Sequence, residues 1–334
     1  MKYLSPVLFA IILTGCVTEK KMAMNDIGSI ERLDSAINEI LGKEPSFEIL
    51  GQGYKWSEGP VWIESEKMLL FSDVPNNIVH KWTEAKGVEP YLTPSGYSGT
   101  GEYSREPGSN GLTLSPDGKL VLCQHGDRRV VYMDAPFSKP EPKFVVLADN
   151  WQGKKLSSPN DAAFRSNGDL FFTDPPYGLP KQAEDPTKET PHNGVYKASG
   201  GTTTLIVDSL TRPNGIAFLK GEKTLLVANS DPDKAAWYAF DLDEKDSVVN
   251  SRIFFDATSN SKSGESGLPD GFRVDRNGNV FATGPGGVWI FDGTGKPLGR
   301  IRLKEPAANC EFSADQKTLY ITNNMYLVRV RLRE

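Results

Sequence analysis

The chain has 334 residues and a formal net charge of -5, an acidic balance that excludes the nucleic-acid-binding classes, which need a basic stripe. Three cysteines with no close pair exclude a disulfide framework and a thiolate zinc site. Gly (32) and Pro (23) are frequent while helix-period stretches are scarce after residue 45, which favours an all-β architecture with many tight turns.

In chain order, Met1 to Cys16 reads as an export signal: a Lys2 start, a mostly apolar run from Tyr3 to Thr14, then Leu13-Thr-Gly-Cys16. The run is too short for a transmembrane helix, which needs roughly 20 apolar residues. Its end resembles the bacterial lipobox, which implies a lipidated Cys16 and a cell-envelope lipoprotein, periplasm-facing or in the outer membrane. Lipid would anchor such a chain without spanning the bilayer. An ordinary signal peptide with a chance cysteine is the other reading. Residues 17–43 supply a polar tether and one short amphipathic helix, with apolar side chains at Ile30, Leu33, Ile37, Ile40 and Leu41 in helix-like spacing. Residues 44–334 form one domain. It opens on Ser46-Phe-Glu-Ile-Leu50, whose alternation predicts an isolated strand.

A short phrase then recurs: Glu58-Gly-Pro-Val-Trp, Asn110-Gly-Leu-Thr-Leu, Asn160-Asp-Ala-Ala-Phe, Asn214-Gly-Ile-Ala-Phe, Asp270-Gly-Phe-Arg-Val and Asn309-Cys-Glu-Phe-Ser. Each is followed by an apolar run such as Leu69-Leu70-Phe71 or Leu170-Phe171-Phe172. Turn chemistry lies between, as in Ser115-Pro-Asp-Gly118, Ser166-Asn-Gly-Asp169 and Arg276-Asn-Gly-Asn279, and such turns between alternating segments signal β-hairpins. Spacing of roughly 50 residues is that of propeller blades. The sixth repeat has room for only three strands, so the 46–50 strand is expected to complete it. The predicted fold is therefore an all-β, six-bladed β-propeller whose ring is closed by an N-terminal strand joining the last blade. Two insertions, Ser95 to Ser109 and Tyr177 to His192, are candidate walls or lids at one end of the axis.

Equivalent positions of the blades meet at the axis. Glu58, Asn110, Asn160, Asn214, Asp270 and Asn309 would form a ring of hard oxygen acceptors, suited to a divalent cation such as calcium or magnesium. The ring holds no histidine or cysteine, against a zinc-type site. Alternatively, Asn and Asp beside Gly are local turn formers. Cys123 and Cys310 sit among apolar neighbours and read as buried free thiols.

Ser57-Glu-Gly-Pro60, Ser158-Pro-Asn-Asp161, Phe172-Thr-Asp-Pro-Pro-Tyr-Gly178, Arg212-Pro-Asn-Gly215 and Leu268-Pro-Asp-Gly271 resemble the gluconolactonase/regucalcin (senescence marker protein) family, from about residue 50 onward. Cys123-Gln-His-Gly126 with Asp127-Arg-Arg129 resembles its bacterial gluconolactonase branch. The resemblance implies a lactonase that opens sugar lactones, with one divalent metal on Glu58, Asn214 and Asp270. Calcium suits these oxygens best, and magnesium, manganese, iron or zinc can occupy them. The resemblance also implies that Asn160 contacts metal-bound water or substrate. Regucalcin-like members carry arginine two residues before that asparagine. Ser158 stands there in this chain, so that sugar contact is not carried over. Asp270 is the candidate base toward water and acid toward the leaving alkoxide, because Glu58, opened by Gly-Pro, reads as a fixed ligand. His125, Tyr177 and Arg212 are further substrate-binding candidates, and Asn110 and Asn309 remain channel residues. Asp174 reads as a turn cap and Asn229 as a support. Two other readings share the ring: a non-catalytic, calcium-stabilised propeller that binds sugar or protein, and a phosphotriesterase-type hydrolase.

Overall fold

The computed structural model describes residues 27–333; Cys16, the export signal and most of the tether lie outside them. Repeats become blades because each phrase and its apolar run pair through a tight antiparallel turn. Gly118, Gly168 and Gly278 take φ of 78°, 93° and 94° there, a region open to glycine at little steric cost. The first blade holds strands Ser57–Ile63, Met68–Asp73, Ile78–Thr83 and Gly87–Leu92. The second holds Ser109–Leu114, Leu120–Gln124, Arg129–Met133 and Phe144–Ala148. The third holds Ala162–Phe164, Leu170–Asp174, Gly194–Ser199 and Thr202–Val207, and the fourth Pro213–Phe218, Thr224–Asn229, Ala236–Leu242 and Val248–Asp256. Phe272–Val274, Val280–Gly284, Gly287–Phe291 and Pro297–Leu303 build the fifth; Asn309–Phe312, Thr318–Asn323 and Tyr326–Arg331 belong to the sixth.

The first strand of each blade touches the first strand of the next, and Asn309–Phe312 returns to Ser57–Ile63, so the ring is continuous around its axis. The apolar runs fill the spaces between blades: Leu69, Leu70, Phe71, Phe171, Phe172, Leu225 and Leu226 are buried. Burying a side chain of this size contributes about 1.5–3 kcal/mol.

The ring closes as expected. Ser46–Gln52 is the outer strand of the sixth blade, antiparallel to Tyr326–Arg331, with Phe47 opposite Val330 and Glu48 opposite Arg329. Arg329 donates to Glu48 (Nε–Oε2 3.0 Å) and to Glu84 of the first blade (Nη1–Oε2 2.6 Å). Ser57 Oγ donates to the carbonyl oxygen of Asn324 at 2.8 Å, a second tie across the closure.

The helix expected between Ile30 and Leu41 is only partly present. Gly28–Arg32 is instead a fifth strand on the fifth blade, with Ile30 opposite Ile301, and the helical part is one 3₁₀ turn, Ser35–Glu39, capped by Asp34 (Ala36 N to Oδ1, 2.9 Å). The open edge of Pro297–Leu303 supplies unpaired backbone groups, and Gly28 is bare enough to approach it: a Cβ there would lie 2.4 Å from Arg302 O. The apolar spacing arises from two elements packed on one core, with Ile37 and Leu41 buried beside Leu298 and Ile301.

Candidate active site

The glycine that follows the opening residue of a phrase makes room for the next blade. A Cβ on Gly59 would lie 2.2 Å from Asn110 O, one on Gly111 2.6 Å from Asn160 O, and one on Gly215 2.3 Å from Asp270 O. On Gly271 it would lie 2.0 Å from Asn309 Cγ. The small residue of one phrase thus seats the polar residue of the next. Hydroxyl groups on the second strands clip the same junctions. Ser72 Oγ donates to Asn110 O at 2.9 Å, and Thr173 Oγ1 to Asn214 O at 2.7 Å.

A second set of side chains, at the ends of the second strands, holds the segments that lead into the site. Asp73 Oδ1 accepts the N–H groups of Lys55 (3.2 Å) and Trp56 (3.3 Å). Asp174 accepts those of Ser157 and Ser158, both at 2.8 Å, so it holds the segment leading to Asn160 rather than capping its own Pro-Pro turn. Burial pushes the Asp174 pKa up to about 7 against the pull of those two N–H groups. Asn229 Oδ1 accepts from Arg212 N at 2.7 Å, supporting the residue two before Asn214.

The opening residues converge on a cavity of about 640 Å3 at one end of the axis, lined by Glu58, Asn110, Asn160, Asn214 and Asp270. Tyr177 and Arg212 stand on its wall. Both long insertions contribute, Arg105 and Glu106 from one and Tyr177 and Gln182 from the other. Two expected members are elsewhere. Asn309 does not line the cavity: its Oδ1 accepts from Cys310 N (2.8 Å) and its carboxamide is wedged against Gly271. His125 lies behind the wall, fully buried, with neither ring nitrogen hydrogen-bonded and Nδ1 3.9 Å from Glu106 Oε2. Cys123 and Cys310 are buried free thiols.

The electrostatics of the cavity are those of crowded, desolvated oxygens. Burial pushes the Glu58 pKa up to about 8, opposed by the Gly59 N–H on Oε2 (3.1 Å) and reinforced by the Asp161 charge. Burial, then Glu58 and Asp161, hold Asp270 well above the carboxylate range. Asp270 Oδ1 and Asn160 Oδ1 are buried with no hydrogen-bond partner, and such orphaned acceptors cost free energy unless something positive meets them. Asn214 Nδ2 donates to Ser230 Oγ (3.0 Å), which leaves its carbonyl oxygen free. Among the described residues no three His, Cys, Asp or Glu side chains cluster as a metal site. The cavity offers instead three carboxyls, those of Glu58, Glu106 and Asp270, and several carboxamide oxygens, a donor set that fits one hard cation.

Sequence reading missed Trp56, Arg105, Glu106, Gln182 and Ser230, all on the cavity wall. Trp56 abuts the first phrase and donates Nε1–H to Glu58 Oε1 (3.4 Å), so adjacency was a signal for it. Arg105, Glu106 and Gln182 lie in the two insertions expected to wall the axis, where no periodicity singles out a residue, and Ser230 directly follows Asn229.

Fold and site together define a six-bladed β-propeller with an oxygen-rich pocket on its axis. Residues 56–324 match the family described as SMP-30/Gluconolactonase/LRE-like region, and the chain belongs to that family. It is 38% identical over 336 residues to a gluconolactonase of Zymomonas mobilis, covering 96% of this chain and 91% of the relative. A pentonolactonase of Haloferax volcanii is 25% identical over 278 residues, 79% of this chain and 80% of its own. Among solved structures, a gluconolactonase from Xanthomonas campestris matches with 30% identity and a TM-score of 0.78, over 92% of this chain and 96% of that one.

Proposed function

We propose that the chain is a metal-dependent lactonase that hydrolyses sugar lactones. The observation that carries this reading is the pair of buried carboxyls, Glu58 and Asp270, facing one cavity with pKa values raised by burial. Relatives named for gluconolactone and pentonolactone hydrolysis support the substrate class. Glu58, Asn214 and Asp270 would hold one divalent cation, calcium by the hardness of the oxygens. Such a cation, when bound, polarises an ester carbonyl and lowers the pKa of water.

The remaining chemistry belongs to the chain. Asp270 Oδ1, free of any protein donor and ionised once a cation offsets the burial that raises its pKa, takes the proton of the attacking water. The same carboxyl returns that proton to the ring oxygen as the ester bond breaks, so the hydroxy acid leaves with all atoms accounted for. Asn160 Oδ1, equally free, orients water or substrate. Tyr177 and Arg212 on the wall meet the hydroxyl groups of the sugar. Leu13-Thr-Gly-Cys16 supports a cell-envelope lipoprotein, lipidated at Cys16, as the setting.

A panel of aldonolactones followed with a pH indicator tests the reading. Metal-loaded protein should open at least one of them, and Glu58→Gln or Asp270→Asn should lower kcat by about 10²–10⁴. Undiminished turnover in both variants at limiting metal would refute the assignment.

A further inference from the structure

We propose that Glu106, positioned by His125, is the side chain that selects polyhydroxylated lactones at this site. The inference rests on the lactonase reading above and adds the residue that sets its substrate preference.

Glu106 is carried by an insertion whose course is fixed. Asn77 Oδ1 accepts from Ser95 N (3.0 Å), Gly96 N (2.7 Å) and Tyr97 N (3.2 Å). Gln124 Nε2 donates to Ser95 O (2.8 Å), and Asp127 Oδ1 accepts from Ser98 N (3.0 Å). On the far side of Glu106, Gly126 N donates to Pro107 O (3.2 Å) and His125 N to Gly108 O (3.1 Å). The loop therefore delivers one carboxyl to the cavity from an anchored base. Its charge is felt at Glu58, Asp270 and Tyr177, so it faces the reacting region.

Among the described residues nothing donates a hydrogen bond to that carboxyl. The nearest cationic or imidazole nitrogens are Arg105 Nη2 and His125 Nδ1, each 3.9 Å away. Its hydrogen-bonding capacity is left for a ligand, and the hydroxyl groups of a sugar lactone are the matching donors. A lactone lacking hydroxyls would cover this half-buried carboxyl without pairing it, which turns the same group into a rejecting element.

His125 is the positioning residue. It is fully buried, neither ring nitrogen has a side-chain hydrogen bond, and burial keeps it neutral with a pKa near 4, opposed by a weak contact with the Glu106 main chain. A shift of about 1 Å brings Nδ1 within hydrogen-bond distance of Glu106. On its other side the second insertion rests on the same side chain: a Cβ on Gly178 would lie 2.5 Å from His125 Cβ and 2.8 Å from the ring atom Cγ. One imidazole thus backs Glu106 and the Tyr177–Gly178 turn together.

The test compares D-glucono-δ-lactone with hydroxyl-free δ-valerolactone on full-length, metal-loaded protein. Glu106→Ala should raise KM for gluconolactone about tenfold to a hundredfold with little change in kcat. The ratio of kcat/KM between the two lactones should fall at least tenfold. Glu106→Gln, which keeps an acceptor and the side-chain shape, should show a smaller loss. His125→Phe should move the same ratio in the same direction, and His125→Gln should recover part of it. An unchanged gluconolactone KM in Glu106→Ala, or equal losses on both lactones, would overturn the inference while leaving the lactonase reading standing. A wild-type protein inert on these two and on every aldonolactone of the panel would refute the two together.

Discussion

At the scale of single residues, the site is governed by carboxyls that the fold has removed from water. Glu58 holds its proton up to about pH 8 because burial disfavours the charge. In the unfolded chain the same group titrates near 4.5. The folded state therefore binds the proton more tightly, and the stability this contributes is complete below pH 4.5 and lost as pH rises through 8. With chelator present, wild type should lose roughly 1–2 kcal/mol relative to Glu58→Gln between pH 6.5 and 8. Added divalent metal should abolish that loss, because a cation pairs with the charge that burial penalises. Denaturant melts at the two pH values read this out; a wild type that gains stability over the variant as pH rises would contradict it. Most of these residues were legible in the repeats, since Glu58, Asn110, Asn160, Asn214 and Asp270 open five phrases and line one cavity. Asn309 obeys the same pattern but does not line the cavity. Its carboxamide is turned onto Gly271 and the Cys310 N–H, a side-chain orientation that repetition along the chain does not encode.

At the scale of elements, four of the six phrases follow their polar residue with a glycine that seats the polar residue of the next blade. Asn-Gly reads equally as a turn or as a close approach between strands, and only the ring decides. Gly111, Gly215 and Gly271 serve the approach, whereas Gly118 and Gly278, with positive φ, make the turns. Gly271→Ala places a methyl group against the Asn309 carboxamide. It should destabilise the protein by about 1–3 kcal/mol and weaken activity through the displaced Asp270. A thermal melt matching wild type would remove this account of the glycines. The strand Ser46–Gln52 was legible because its alternation met a sixth repeat one strand short. Gly28–Arg32 was not, because its apolar spacing merges with that of the following turn and its partner, Pro297–Leu303, is remote in sequence. Deleting residues 44–52 should abolish the cooperative melt of the whole ring, since it exposes the Tyr326–Arg331 edge and removes Phe47 from the core. An unchanged melting temperature would contradict a closing role for that strand.

At the scale of the molecule, symmetry builds the ring and its interruption makes the site. Two of six opening positions are carboxylates, and the insertions before the second blade and within the third bring Glu106 and Tyr177 to the same end of the axis. Among the described residues no helix is long and apolar enough to cross a membrane; the attachment proposed from Leu13-Thr-Gly-Cys16 is a lipid on Cys16. Cys16→Ala should move the protein from the membrane fraction to the soluble fraction, and equal partitioning of the two forms would count against lipidation. The most direct test of the central claim is gluconolactone hydrolysis, followed by proton release, in protein stripped with chelator and then titrated with calcium. Hydrolysis should fall to the spontaneous rate on stripping, return with metal, and fail to return in Asp270→Asn. A stripped wild-type protein that hydrolyses at full rate, or a loaded one that never exceeds the spontaneous rate, would contradict the account.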